Sequence, residues 1–267
     1  ALTNANKPVW GTCPPAPTVT GTTVASNNST IAVTFSEAVF NTNGGSGALE
    51  VSDFALSKSG GVATVNATPS SISISGNVYT LGLNLSGTPS GAETLTVVPS
   101  SSSAIYNASG YAASTTQSNN TISLNDQVAP TVTGTTVASN NSTIAVTFSE
   151  AVFDTNGGSG ALEVSDFALS KSGGVATVNA TPSSISISGN VYTLGLNLSG
   201  TPSGAETLTV VPSSSSAIYD ASANAASTTQ SNNTVSLNDQ AVPTVTGTTV
   251  ANDNSTIAVT FSEAVYN

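Results

Sequence analysis

The phrase PTVTGTTV opens at Pro17, again at Pro130 and again at Pro243, a spacing of 113 residues each time. Residues 17–129 and 130–242 are identical at 106 of 113 positions. The seven differences are Asn41/Asp154, Asn107/Asp220, Gly110/Ala223, Tyr111/Asn224, Ile122/Val235, Val128/Ala241 and Ala129/Val242. The period exceeds the roughly 20–50 residues of solenoid repeats and suits a whole domain that buries its own core. The chain therefore reads as a non-repeat tail (1–16), a first repeat (17–129), a second (130–242) and the start of a third (243–267). A hairpin as short as the third stretch does not hold itself together. It is expected either to continue or to complete a sheet in a neighbouring molecule.

Within one repeat the apolar residues alternate. Thr30–Phe40 sets Ile31, Val33 and Phe35 against Ala32, Thr34 and Ser36, the pattern of a half-buried strand. Val78–Ser86 places Tyr79, Leu81, Leu83 and Leu85 on one side, after a tight Ser75-Gly76-Asn77 turn. Thr18–Val24, Asp53–Ser57, Ser71–Ser75, Thr94–Val98 and Thr121–Leu124 complete seven strands, or eight if Val62–Val65 pairs. Gly21 sits where the first strand loses step, which predicts a bulge. No segment has a helical period. The expected fold class is all-β: tandem immunoglobulin-like β-sandwich domains of seven to eight antiparallel strands in a linear array, since such a sandwich takes about 100 residues.

Composition narrows the function. Only 6% of residues are charged, and Lys7, Lys58 and Lys171 stand against 14 acids, for a net charge of −11. No basic patch exists to neutralise phosphates, so nucleic acid is excluded as a partner, as is an anionic lipid surface. No run of 18 apolar residues spans a membrane. A chain rich in Ser, Thr, Asn and Gly that begins at Ala1 reads as a secreted, cell-surface protein after signal cleavage. Cys13 is the only cysteine, so no internal disulfide forms; it either pairs between molecules or is an unpaired thiol. With no His there is no Ser-His or Cys-His pair and no zinc cluster. No Gly-rich phosphate loop opens a helix. An enzyme is not expected. Sequons such as Asn66-Ala67-Thr68 and Asn84-Leu85-Ser86 are expected by chance at this composition.

The acids fall in a pattern. Tracing the chain up and down a seven-strand sandwich puts the end of strand two, the loop after it and the end of strand six at the pole where a domain begins. Glu150, Asp154, Asp166 and Asp220 then share one pole, and Asp126 in the linker phrase SLNDQ arrives from the preceding repeat. Asp239 and Glu263 are their equivalents at a second junction. So many carboxylates repel each other unless a cation offsets the charge. Calcium, which takes roughly 6–8 oxygen ligands in flexible geometry, suits a loop-built site better than magnesium. The first repeat is expected to follow no other domain, and it carries Asn41 and Asn107 where the second carries Asp154 and Asp220. The alternative is that each acid is separately solvated and the Asn/Asp exchange is drift.

The phrases TFSEAVF, SDFAL, IYDASANAA and SLNDQ resemble the bacterial immunoglobulin-like repeats strung in tandem in large surface adhesins and surface-layer proteins, over residues 17–267. The arrangement at the pole is also similar to cadherin repeats, whose junctions calcium stiffens. The resemblance implies an adhesive or spacer role. The family-like loop would read D-A-S-G-N, whereas this chain has Asn107-Ala108-Ser109-Gly110-Tyr111 and Asp220-Ala221-Ser222-Ala223-Asn224. Expected partners are neighbouring repeats, other copies of the chain, and a cell-surface or glycan ligand. Two rival readings stay open: a polymer joined by strand exchange or lateral packing, and a carbohydrate-binding array using Tyr106, Tyr111 and Tyr219. Trp10 in the tail either anchors a partner or caps the first repeat.

Overall fold

A computed structural model describes residues 14–266, so Lys7, Trp10 and Cys13 lie outside the described residues. The chain divides into two compact units, Ala1–Val128 and Ala129–Asn267.

The first unit is built from β1 (Val19–Val24), β2 (Thr30–Phe35), β3 (Val39–Phe40), a 3-10 turn (Val51–Asp53), β4 (Phe54–Ser59), β5 (Thr64–Val65), β6 (Ile72–Ser75), β7 (Val78–Gly82), β8 (Leu85–Ser86), β9 (Thr94–Pro99), β10 (Tyr106–Asn107) and β11 (Thr121–Ser123). One sheet has the order β1-β2-β7-β6 and a second the order β11-β9-β4, with short pairs β10-β3 and β5-β8. Every pairing is antiparallel, and neither sheet closes into a barrel. The register of β1 on β2 shifts between Val19 and Gly21, where the lost alternation predicts a bulge.

Alternation decides which residues enter the core. Ile31, Val33, Phe35, Tyr79 and Leu81 of the first sheet join Phe54, Leu56, Leu95 and Val97 of the second in one buried cluster. Phe35 and Tyr79 meet edge-on at 5.6 Å, and Phe54 lies 6.1 Å from Tyr79, separations at which aromatic pairs add about 0.5–1.5 kcal/mol beyond burial.

Two apolar runs are interrupted where simple alternation predicts one strand. Thr30–Phe40 breaks after Phe35, where the Ser36 N–H turns to Thr18 O, and Val39 then pairs with β10. Val78–Ser86 breaks at Gly82, which bonds Ser70 and Ser71, and Leu85 pairs with β5.

The second unit repeats this plan in β12 (Val132–Val137), β13 (Thr143–Phe148), β14 (Phe167–Ser172), β15 (Thr177–Val178), β16 (Ile185–Ser188), β17 (Val191–Gly195), β18 (Leu198–Ser199), β19 (Thr207–Pro212) and β20 (Thr234–Ser236). Its sheets have the orders β12-β13-β17-β16 and β14-β19-β20. The unit ends in a hairpin, β21 (Val245–Val250) and β22 (Ile257–Phe261). There Ile257 and Phe261 are 62% and 40% exposed, while Ile31 and Phe35 at the same repeat positions are buried. Among the described residues, no helix is long and apolar enough to cross a membrane.

Candidate functional site

The SLNDQ phrase is first a structural clasp. Asn28, in the turn between β1 and β2, is buried and left-handed at φ 55°. Its Nδ2 donates to Asn125 O at 2.8 Å, and its Oδ1 accepts from Asn125 N at 2.9 Å. Asn125 Nδ2 donates to Ala25 O, and Gln127 Nε2 donates to Ser26 O. Asn141 and Asn238 repeat the clasp in the second unit. Asp126 folds back on its own chain, where its Oδ1 accepts from Val128 N at 2.8 Å. Asp239 does the same with Ala241 N.

The acids of each pole are set by tight loops. In the second unit, Asp220 is almost fully buried. Its Oδ1 accepts from Ser222 N and Asn224 N, both at 2.8 Å, and its Oδ2 accepts from Asn224 Nδ2 at 2.8 Å. A carboxylate oxygen of Glu150, just beyond β13, lies within 4.8 Å of one of Asp220. Three of the seven repeat differences (220, 223 and 224) fall in this one loop, and Asn224 is there a ligand of the aspartate.

The first unit solves the same place differently. Asn107 Oδ1 accepts from Ser109 N and Tyr111 N, as the aspartate does. Its Nδ2, however, donates to Glu37 Oε1 at 3.2 Å and to Pro15 O at 3.1 Å. An amide supplies the donor that a glutamate at this pole requires, whereas a carboxylate supplies none. At this position the first pole pairs an amide with Glu37, and the second brings two acids together.

Asp239 and Glu263 stand one repeat after Asp126 and Glu150. Desolvation, a hydrogen bond to Asp239 and the negative charge of Asp239 together push the Glu263 carboxyl above its ordinary value. Glu263 Oε1 is enclosed without a hydrogen-bond partner.

Asp154 and Asp166 are used differently. Asp166 Oδ2 accepts from Glu163 N at 2.7 Å and so holds the 3-10 turn Val164–Asp166, and Asp53 does the same for Glu50. Asp154 Oδ1 is enclosed without a partner beside Gly160, and Asn41 Oδ1 is enclosed in the same way. Of the tyrosines, Tyr106 and Tyr219 are half-buried, while Tyr111 is 37% exposed and is replaced by Asn224 in the second unit. Among the described residues, the aromatic ring contacts join only Phe35, Phe54 and Tyr79 and their second-unit equivalents in the cores.

One pair of acids escapes sequence reasoning. Glu93 and Glu206 are fully buried. Glu206 Oε1 accepts from Val175 N (2.8 Å) and Ala176 N (3.0 Å), and its Oε2 accepts from Ser203 N (2.9 Å). Burial by itself would raise the carboxyl. The N–H groups of Ala176, Ser203, its own residue and Val175 outweigh that and hold it at about 2. Glu93 is lowered by the same balance. A Cβ on Gly174 would fall 2.0 Å from the Glu206 carboxyl carbon, so only glycine admits the approach. The sequence signal was a lone acid repeated in GAET with a Gly-Gly turn upstream.

No family model matches the chain, and no curated protein matches it. Among solved structures, the N-terminal part of the bacterial S-layer protein SbsC is similar over 76% of this chain at 14% identity, with a TM-score of 0.32. The chain spans 42% of that structure's length.

Proposed function

We propose that the chain is a non-enzymatic structural segment of an extracellular bacterial surface protein, an adhesin or filament. Its immunoglobulin-like sandwiches repeat in a linear array and act as a spacer. Calcium binds where one repeat hands over to the next. The observation that carries this reading is the exchange of Asn107 for Asp220. The amide satisfies Glu37 directly, while the second copy keeps Glu150 and Asp220 as neighbouring acids. One repeat later Glu263 again stands beside an aspartate, Asp239. The ion would take oxygens from Asp126, Glu150 and Asp220 at one junction and from Asp239 and Glu263 at the next, with Asp154 and Asp166 on the surrounding loops. The hard oxygen donors fit calcium.

The test is thermal unfolding and small-angle scattering of the whole chain in millimolar calcium and in chelator. A higher melting temperature and a longer, stiffer particle with calcium are expected. No change in either would remove the ion and leave packing alone to stiffen the array.

A second reading, assembly by strand exchange, draws on the exposed apolar residues of the β21–β22 hairpin. Insertion of that hairpin into another molecule's first repeat, however, ejects a hairpin of nearly the same sequence, 17–40 against 243–266. The exchange gains no net burial, while association still costs roughly 4–15 kcal/mol.

A further inference from the structure

Strand β6 is the outermost strand of its sheet, and β16 ends the equivalent sheet of the second unit. Ser73, Ile74 and Ser75 are exposed, with Ile74 at 46% and Ile187 at 47%. A free edge presents unpaired N–H and C=O groups, and proteins commonly guard it with Lys, Pro or a bulge. Pro69 and an irregular pairing of Ser70 and Ser71 with Gly82 lie just before the strand, but Ile72–Ser75 itself has no such guard. No ionisable side chain other than Tyr79 occurs between Lys58 and Glu93, nor any other than Tyr192 between Lys171 and Glu206, in a chain of net charge −11. Two copies meeting here bring no charges together, unlike two copies meeting at their acidic poles.

The backbone pattern selects a partner. Ser75 and Val78 flank a two-residue turn and so form a hydrogen-bonded pair, which turns the N–H and C=O of Ile74 and Ile72 outward. The strand reads Ser71-Ile72-Ser73-Ile74-Ser75, the same in both directions. Two such strands laid antiparallel about Ser73 set Ile72 opposite Ile74 of the other copy, twice. Those are the residues whose backbone groups point outward, so four hydrogen bonds form and Ser73 faces Ser73 as a non-hydrogen-bonded pair. Cross-strand partners share a face, and Ile72 and Ile74 pair with Leu81 and Tyr79, so both isoleucines stand on the core side. Ile74 is one wall of a groove of about 490 Å³ that Val39, Leu49, Gly76 and Tyr79 also line. The other copy's Ile72 extends that wall.

We propose that β6 and β16 are self-complementary docking edges through which the chain pairs laterally with a second copy of itself, merging two four-stranded sheets into one of eight. This goes beyond the spacer reading and does not depend on calcium. Sedimentation of the full chain should show mass rising with concentration. The double variant Ile74→Lys/Ile187→Lys changes only exposed positions; it should need about ten-fold more protein to associate and should unfold at an unchanged temperature. With Cys13→Ser as background, Ser73→Cys/Ser186→Cys should cross-link between copies about ten-fold faster than Ser75→Cys/Ser188→Cys. In this register the latter cysteines are about 14 Å apart along the strands. A chain that stays monomeric at all concentrations, association untouched by the lysines, or equal cross-linking rates would each overturn the proposal. If the lysine variant unfolds, the cross-linking ratio decides.

Discussion

Asn107 Nδ2 donates a hydrogen bond of 3.2 Å to Glu37 Oε1, two residues that lie 70 positions apart. At the same place one repeat later, Asp220 lies beside Glu150, and its two oxygens accept hydrogen bonds from Ser222 and Asn224. A single atom, nitrogen for oxygen, separates an amide that donates to Glu37 from a carboxylate that stands beside Glu150.

Asp220→Asn should therefore give the second pole the chemistry of the first. Calorimetry in chelator should show the second unit stabilised by about 1 kcal/mol, the usual scale for one hydrogen bond gained and one repulsion relieved. The calcium-dependent rise in melting temperature should shrink or vanish. An undiminished calcium effect would remove Asp220 from the site.

The Asp239–Glu263 pair sets a pH dependence of its own. Glu263 has a folded value above its unfolded one. Its contribution to stability is therefore present below the ordinary glutamate value and is lost as pH rises through the raised value. In chelator the terminal hairpin should be held better at mildly acidic pH than at neutral pH, and calcium should abolish the difference. Carbon-detected NMR titration of Glu263 should show its value falling in Asp239→Asn, and an unchanged value would refute the coupling.

Glu206 gives the opposite sign. Its folded value of about 2 lies below the reference 4.5. Its contribution is present above the unfolded value and is lost as pH falls toward 2. Glu206→Gln places an N–H₂ group against N–H donors, so it should cost about 2–4 kcal/mol at neutral pH, since hydrogen bonds to a charged group are worth roughly 1.5–3 kcal/mol each. The variant should also lose part of the acid dependence between the two values. Urea unfolding across that pH range measures both effects.

Ala223 sits at φ 74°, where the first unit has Gly110 at φ 83°. A left-handed alanine is strained by roughly 1–2 kcal/mol, part of which glycine's greater unfolded entropy cancels. Ala223→Gly should stabilise the second unit by about 0.5–1 kcal/mol in denaturant unfolding, and a loss of stability would contradict the assignment.

Much of the β architecture was legible because its signal is local. The period-two burial of Ile31, Val33 and Phe35 needs no knowledge of the rest of the chain, and the bulge near Gly21 follows from a lost step. A run that changes partner is not local: Val39 and Leu85 continue the alternation yet pair away from the main sheet, with β10 and β5. The acidic pole divides in the same way. The charge difference between Asn107 and Asp220 is visible in the letters. That the amide becomes a donor to Glu37 depends on where the fold sets a distant residue. Asp166 shows the converse, since its carboxylate serves a local turn that sequence reasoning had not assigned to it. Glu206 was missed because a lone acid between neutral strands resembles any exposed loop residue until its backbone donors are in place.

The opening and closing segments of a unit are stitched together with their numbers rising in step: Val19 N to Gln117 Oε1, Thr22 Oγ1 to Thr121 O, and Asn28 to Asn125. Tension that enters the unit before Val19 and leaves after Gln127 pulls these two segments past one another in shear. The stitches must then yield together rather than one at a time. The second unit carries the same set at Val132, Thr135 and Asn141. A single chain stretched from its ends should therefore give way in two abrupt events at similar force, and Asn28→Ala should weaken one of them. Each clasp that closes a fold also acts as a mechanical fuse in the strand of protein it belongs to.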